Sequence, residues 1–376
     1  MSFYAETWRG NVSLYRYRDR AVAHDVLARL KAMDLHLRLM HVCGTHQDTL
    51  SRHGLDVLLD ACGVQVRQGP GCPVCVTTAK EFEEAAVLAE AGKTVLTFGD
   101  VARAPGRRGS LLNLRGEGHD VRVVYSVNDA VALARRETKD MVFMAAGFET
   151  TAPTTAAVAL TGLPANFTVL SCHRYLPPAL NALLAMGATQ VDGIIEPGHV
   201  SAIIGLKPYE GLSAQYGIPQ VVAGFEPLDL LMAVYMLAQQ IQRGDATVEN
   251  EYTRVVRYEG NLRALDAMRR VFVPSDVEWR GFPVIPHSGM AMKPPFEAWD
   301  ARKVWADDLQ RVDDLVEETP GCQCGAVLRG VIEAPNCPLF GTTCTPIHPA
   351  GPCMVSVEGS CHIAYKYPQG RALRAT

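Results

Sequence analysis

The sequence predicts an α/β fold: two parallel-sheet α/β/α domains followed by a smaller irregular and helical region rich in cysteine. Three observations carry this. Short apolar runs of strand length alternate with stretches of helical periodicity from residue 38 to residue 250, the pattern of a parallel sheet with crossover helices. The turn Gly147-Phe148-Glu149 recurs as Gly224-Phe225-Glu226. From about residue 251 the alternation stops, and six of the eleven cysteines fall in the last 55 residues. The expected organisation is an N-terminal helical segment (1–37) packing with the C-terminal region, domain I (38–138), domain II (139–250) and a C-terminal cysteine domain (251–376).

The elements follow in order. DRAVAHDVLARLKAMD (19–34) has apolar residues at helical spacing. LRLMHV (37–42) reads as a buried strand, and CGTHQDTLSRHGL as the loop and helix start behind it. VQVRQ (64–68) leads to GPGCPVC (69–75), and TTAKEFEEAAVLAEAG (77–92) is a long amphipathic helix. KTVLTFGD (93–100) and VRVVYS (121–126) are strands, the second followed by the helix VNDAVALARRE. DMVFMAAGFETTAPTTAAVAL (140–160), VDGIIEPGHVSAIIG (191–205) and IPQVVAGFEPLDLLMAVYMLAQQI (218–241) each read strand, turn, helix. FTVLSCHRY (167–175) is a strand, and PPALNALLAM a helix with Pro at its start.

Composition narrows the function. With 48% hydrophobic residues, the 376-residue chain has ample core for two or three domains. A formal net charge of −4 gives no bulk attraction to nucleic acid. No run approaches the roughly 18 apolar residues of a membrane span, and MSFYAETWRGNVSLYRYRDR has no apolar stretch of a secretory signal. The expected location is cytoplasmic. Structural disulfides are uncommon there, so clustered cysteine points to metal or redox chemistry. Thiolate is the favoured ligand of zinc and of iron–sulfur clusters, and the Gly- and Pro-rich setting of Cys322, Cys324, Cys337, Cys344, Cys353 and Cys361 suits a loop-built site.

Outside that cluster, Cys43 follows the first strand in HVCGTH, and Cys72 and Cys75 form a C-x-x-C just before a helix. Ligand sites in open parallel sheets form beyond the carboxyl ends of the strands, which places both motifs on one edge of one domain. A helix N-terminus lowers the pKa of a cysteine, making thiolate accessible near neutrality. His46 stands three residues after Cys43, placed to orient a ligand or share a proton. Cys62 and Cys172 sit in or beside apolar runs and read as core. Arg107 and Arg108 read as a solvated turn.

Glu149 with Thr150 and Thr151, Glu196 with His199 and Ser201, and Glu226 all lie at strand ends. Two readings stand side by side: a polar site facing the cysteines of the first domain, or helix capping. No G-x-G-x-x-G follows a strand and no Walker A pattern occurs, so nothing argues for a nucleotide.

Together CGTH (43–46), GPGCPVC (69–75), GFETTAPTTA (147–156), EPGHVS (196–201) and the terminal CxC…CPLFGTTCTP…GPCMVSVEGSC resemble the hydrogenase maturation factor HypD family along the whole chain. The resemblance implies a scaffold and redox protein more than a conventional turnover enzyme. It implies two partners, the small chaperone HypC and the cyanide donor HypE, and a role in building the Fe(CN)2CO unit of [NiFe]-hydrogenase. It also implies one [4Fe-4S] cluster in the C-terminal region beside a redox-active cysteine pair, in an environment likened to that of ferredoxin:thioredoxin reductase. On that likeness Cys322, Cys337, Cys344 and Cys361 are the cluster ligands and Cys324 with Cys353 the pair. Cys43 would hold the nascent iron, His46 would orient the site, and Cys72 with Cys75 would store or pass electrons. The runner-up is an iron–sulfur thiol–disulfide oxidoreductase. A third reading is a structural zinc protein with an α/β ligand-binding body.

Overall fold

A computed structural model describes residues 18–187, 190–312 and 319–368. It is an α/β protein with two parallel sheets. The first sheet holds β1 (Leu37–His41), β2 (Val64–Gln68), β7 (Gly193–Pro197), β8 (Gln220–Ala223) and β9 (Val248–Asn250), in the order β2-β1-β7-β8-β9. The second holds β3 (Thr94–Thr97), β4 (Val121–Val123), β5 (Met141–Gly147) and β6 (Phe167–His173), in the order β4-β3-β5-β6. Every residue of β3, β5, β7 and β8 is buried. Helices cover both faces of such strands, which is why they read as unbroken apolar runs instead of alternating ones.

The sheets do not divide at residue 138. The chain makes β1 and β2, leaves to build the whole of the second sheet, and returns to the first at β7. Local periodicity tells which residues form a strand but not which strand lies beside it, so the expected sequential boundary between 38–138 and 139–250 differs from the boundary between the sheets.

The structure adds detail at both ends of the expected organisation. The described part of the N-terminal segment, helix Arg20–Ala32, packs on helix Pro227–Arg243 beside the first sheet. Val26 and Leu30 of that helix are fully buried in one core with Leu230, Leu231 and Leu237; residues 1–17 lie outside the described residues. The region after 251 is not only irregular and helical. It contains an antiparallel hairpin, β10 (Phe272–Glu278) and β11 (Val284–Met292), with β11 packed against β6. Trp279, wholly buried at the hairpin's end, stacks on Phe148 with centroids 5.7 Å apart and donates from Nε1 to Ser288 Oγ at 2.9 Å.

Helix Ala79–Glu90 joins the two sheets, and its start is fixed by a capping box. The Thr78 N–H donates to Glu81 at 2.9 Å, and the Glu81 N–H donates to Thr78 Oγ1 at 3.3 Å. Glu81 also accepts from buried Arg174, and neighbouring Glu84 accepts from Arg302 at 2.7 Å. These pairs tie the helix that follows GPGCPVC to the second sheet and to the C-terminal region.

Candidate functional site

A parallel sheet opens a crevice where its strand order reverses. In the first sheet that point lies between β1 and β7, and in the second between β3 and β5. The motif residues stand at both. β1 is paired with β2 through His41 and Gln68, and with β7 through His41 and Ile195. Cys43, the GPG turn and Glu196 therefore leave the sheet side by side. The fit is tight: a Cβ at Gly71 would lie 2.2 Å from the Cys43 nitrogen, so only glycine lets the two loops touch. From the second sheet come Asp100 after β3 and Glu149 after β5. Four adjacent strands, β2-β1-β7-β8, thus deliver GPGC, CGTH, EPGH and GFEP to one edge.

Cys43 precedes helix Gly44–Arg52 and is 7% exposed. The helix N-terminus does not make it a ready thiolate. Burial pushes the Cys43 thiol up to about 12, and the nearby Glu358 carboxylate adds to this, outweighing the backbone N–H groups of His46 and Thr45 that favour the anion. Desolvation is the larger effect because nothing cationic stands close. A bound metal cation reverses that balance by taking the place of the proton.

Around Cys43 the buried polar atoms lack partners. Neither carboxylate oxygen of Glu196 makes a hydrogen bond, and the ring of His46 reaches only the backbone of Ala223 and Gly224, with no well-aligned partner, although both residues are wholly buried. Buried polar groups are almost always satisfied within a protein, by water or by a ligand, which makes this crevice the candidate site. Burial holds His46 neutral, its pKa pulled down to about 3, and raises Glu196 well above the usual carboxylate range. Tyr209, also fully buried, bonds Ser201 Oγ at 3.1 Å and lies within electrostatic range of Glu196, Glu149 and Cys43 alike. His199 is at the exposed mouth, its ring 3.8 Å from that of Phe225, which also meets His46 at 5.2 Å.

Of the two readings open for the strand-end residues, capping accounts for only part. Glu226 donates its N–H to Asp229 at 3.0 Å and pairs with Arg18. Glu149 Oε1 accepts from the Leu176 N–H at 3.0 Å, while Oε2 stays unpartnered. Thr151 makes no side-chain cap bond, and Ser201 is engaged with Tyr209.

Burial pushes the Glu149 carboxyl up to about 7 from 4.5. A raised carboxyl favours the folded state at low pH, and that advantage is lost as pH rises from 4.5 through 7. Glu149→Gln keeps the acceptor for Leu176 and removes the titration. Its stability gain over the unsubstituted protein is expected to be near zero at pH 4.5 and up to about 3 kcal/mol at pH 8. Urea denaturation at the two pH values measures it; a gain independent of pH contradicts the buried neutral carboxyl.

Behind the crevice lies sulfur. Cys72 and Cys75 are joined as a disulfide across a Cα separation of 5.2 Å, the second within helix Pro73–Val76. That helix packs on two C-terminal helices, Cys324–Leu328 and Pro352–Val355, which bear Cys324 and Cys353. Cys322 and Cys324 stand with sulfurs 3.2 Å apart. Cys324 also shares sulfur hydrogen bonds with Cys353 and Cys361. These bonds hold Cys324 and Cys361 low and push Cys322 and Cys353 up, so the protons belong to the group and not to single residues. Cys344 lies in electrostatic range of Cys322, Cys324 and Cys361, and its sulfur accepts from the Ala350 N–H at 3.3 Å. Cys337 closes the turn Ala334–Asn336, on which helix Ser360–Lys366, bearing Cys361, is packed.

The donor set suits an iron–sulfur cluster. Among the described residues no three or more Cys, His, Asp or Glu side chains are gathered as the ligands of a single ion. A four-iron cluster asks for something else: one thiolate per iron, spaced around a cube. Cys322, Cys324, Cys353 and Cys361 are linked by sulfur contacts here, and Gly351 leaves room beside the first two. A Cβ there would lie 2.6 Å from Cys324 Sγ and 2.8 Å from Cys322 Sγ.

The remaining expectations fall into place. Cys172, within β6, is core; Cys62 is core beside helix Arg20–Ala32. Arg108 pairs with Glu83 and Glu90, a structural role. Three contributors went unnoticed in the sequence. Tyr209 looked like one more helix residue. Glu358, half-buried beside Cys43 and bonded to Thr45, was hidden in VEGSC. The turn Trp279–Gly281 carried no motif at all.

Comparison with known proteins adds the last step. The HypD family model, described as "Hydrogenase formation hypA family", matches residues 20–368. A Methanocaldococcus jannaschii protein named for hydrogenase expression/formation is 46% identical over 357 residues, 93% of this chain and 98% of that one. Hydrogenase maturation factor HypD2 of Bradyrhizobium diazoefficiens is 42% identical over 347 residues, 89% and 90% of the two chains. HypD of Rhizobium leguminosarum bv. viciae is 40% identical over 372 residues, 94% and 95%. With its motifs gathered at one crevice and its whole described fold inside that match, the chain belongs to the HypD family of hydrogenase maturation factors.

Proposed function

We propose that this protein is the scaffold on which, together with the chaperone HypC, the Fe(CN)2CO unit of [NiFe]-hydrogenase is assembled. The observation that carries the reading is the gathering around Cys43 and Tyr209 of the buried side chains of His46, Glu149 and Glu196, with carboxylate oxygens that lack partners. Cys43 supplies one soft, electron-donating thiolate to the iron cargo, and a HypC cysteine supplies another. His46, neutral and wedged against Phe225, orients the site. Glu149, Glu196 and His199 line it, the two carboxyls as neutral groups able to donate a hydrogen bond.

Cyanide arrives from HypE as a thiocyanate. Cleaving its S–C bond takes two electrons and leaves a thiolate and cyanide. Cys72 and Cys75 supply such a pair when the dithiol closes to the disulfide, releasing two protons. The dithiol is renewed from the C-terminal sulfur group, whose helices touch its own. Cys322, Cys337, Cys344 and Cys361 would hold a [4Fe-4S] cluster, which when bound supplies single electrons.

The test is co-purification of the full-length protein with HypC, without oxygen, followed by infrared spectroscopy. Bands of iron-bound cyanide and carbonyl are expected in the complex. A stable complex lacking both bands, with turnover of a protein disulfide instead, would identify a free-standing oxidoreductase. Thiol labelling in graded redox buffers is expected to show Cys72 and Cys75 titrating together as one two-electron couple. Independent titration, or zinc recovered at this turn, counts against the dithiol.

A further inference from the structure

The two sulfur centres are joined by a piece of chain that carries no cysteine. The turn Trp279–Gly281, at the end of the β10–β11 hairpin, is wedged between the CPVC helix and Cys324. Its seat admits only glycine on both sides. Gly281 has φ +80°, a Cβ there would lie 2.2 Å from Gly325 Cα, and a Cβ on Gly325 would lie 2.6 Å from Gly281 Cα. The buried, stacked Trp279 anchors the other side.

This seating fixes Arg280, which is 4% exposed. Its backbone N–H donates to Val76 O at 2.9 Å and its Nε to Thr77 O at 3.0 Å. Both acceptors lie at the end of the helix that carries Cys75. Burial works against the Arg280 charge, while Cys324, Cys353, Cys322 and Glu81, all within electrostatic range, favour it. Glu81 is already bonded to Arg174. A buried guanidinium is strongly disfavoured unless anions face it, and the sulfurs of Cys324, Cys353 and Cys322 are among the groups in its range.

We propose that Arg280 is a positioning residue for electron transfer between the two cysteine pairs: it holds the CPVC turn against Cys324 and Cys353 and favours the reduced, anionic state of that pair. The proposal rests on the reading of Cys324 and Cys353 as a redox pair. Reduction of their disulfide takes two electrons from a dithiol or a one-electron donor acting twice, breaks the S–S bond and leaves two sulfurs that carry negative charge or take up protons from water. A fixed positive charge favours those products over the neutral disulfide, and so raises the reduction potential of this pair.

The experiment uses the full-length protein purified without oxygen, equilibrated in dithiothreitol redox buffers, quenched by alkylation and read by mass spectrometry. In Arg280→Met the equilibrium constant for reducing Cys324–Cys353 is expected to fall at least tenfold, about 30 mV for a two-electron couple, with a smaller shift at Cys72–Cys75. Arg280→Gln, which can still donate to Thr77 and lacks only the charge, is expected to give the same shift and serves where the methionine variant does not fold. Arg280→Lys is expected to recover most of the potential, which a purely structural role would not predict. Unchanged potentials in the methionine and glutamine variants, or equal shifts in all three, overturn the role of Arg280 alone. Failure of Cys324 and Cys353 to titrate together in the unsubstituted protein overturns the pair assignment, and the proposal with it.

Discussion

Cys43→Ala is expected to abolish the infrared bands of iron-bound cyanide and carbonyl while leaving the fold, the association with HypC and the C-terminal iron and sulfide in place. The loss should be complete within detection, because a methyl group offers iron no electron pair. The structural effect should be small. One buried sulfur is removed at the start of a helix, a change of about 1 kcal/mol, and Cys43 is not among the residues that bond to the C-terminal sulfur group. The surrounding cradle is rigid on its own account: Gly71 rests on the Cys43 backbone, and a Cβ at Gly44 would lie 2.3 Å from Glu358 Cβ. Serine at position 43 discriminates further. It restores the size of the side chain but offers a harder oxygen ligand, so cyanide-bearing iron should still be absent. Persistence of both bands in either variant places the iron elsewhere.

The crevice was legible in the sequence because its residues are tied to local signals. CGTH and EPGH each follow a buried strand, and in a parallel sheet every strand end lies on the same side as the next. The CPVC turn was legible because a cysteine three residues from another, entering a helix, has short reach. The sheet partnership of β1 with β7 was not, since residues 41 and 195 carry no mark of being neighbours. The same blindness hid Tyr209, Glu358 and Arg280, whose roles come from long-range packing and not from spacing. The thiol of Cys43 shows a second kind of failure. The helix N-terminus was read correctly from the sequence, yet its effect on the proton is overridden by a burial that only the tertiary fold creates. Capping misled in the opposite direction: Thr151 occupies a cap position without using its hydroxyl to cap.

Alanine at each of the six C-terminal cysteines is expected to divide them four against two. Cys322→Ala, Cys337→Ala, Cys344→Ala and Cys361→Ala should lose iron and sulfide when purified without oxygen. Cys324→Ala and Cys353→Ala should keep both and still fail in maturation. Six thiols leave two over once a cluster has its four, and the family resemblance implies which two. The helices bearing Cys324 and Cys353 are the ones that touch the CPVC helix, so this pair faces the Cys72–Cys75 bridge. Cys361 bonds to Cys324 and Cys353 and also lies in electrostatic range of Cys344 and Cys322, and its helix lies on the turn closed by Cys337. Cys324 bonds to sulfurs of both sets, Cys353 on one side and Cys322 and Cys361 on the other. That is the position expected of a thiol that takes electrons from a cluster without ligating it. The sharpest comparison is within the C-x-C, where the two sulfurs are 3.2 Å apart. Cluster retained in Cys322→Ala and lost in Cys324→Ala would exchange their roles. Loss in Cys353→Ala, with retention in any of the four, would break the assignment of the pair and leave the CPVC disulfide facing a ligand of the cluster itself.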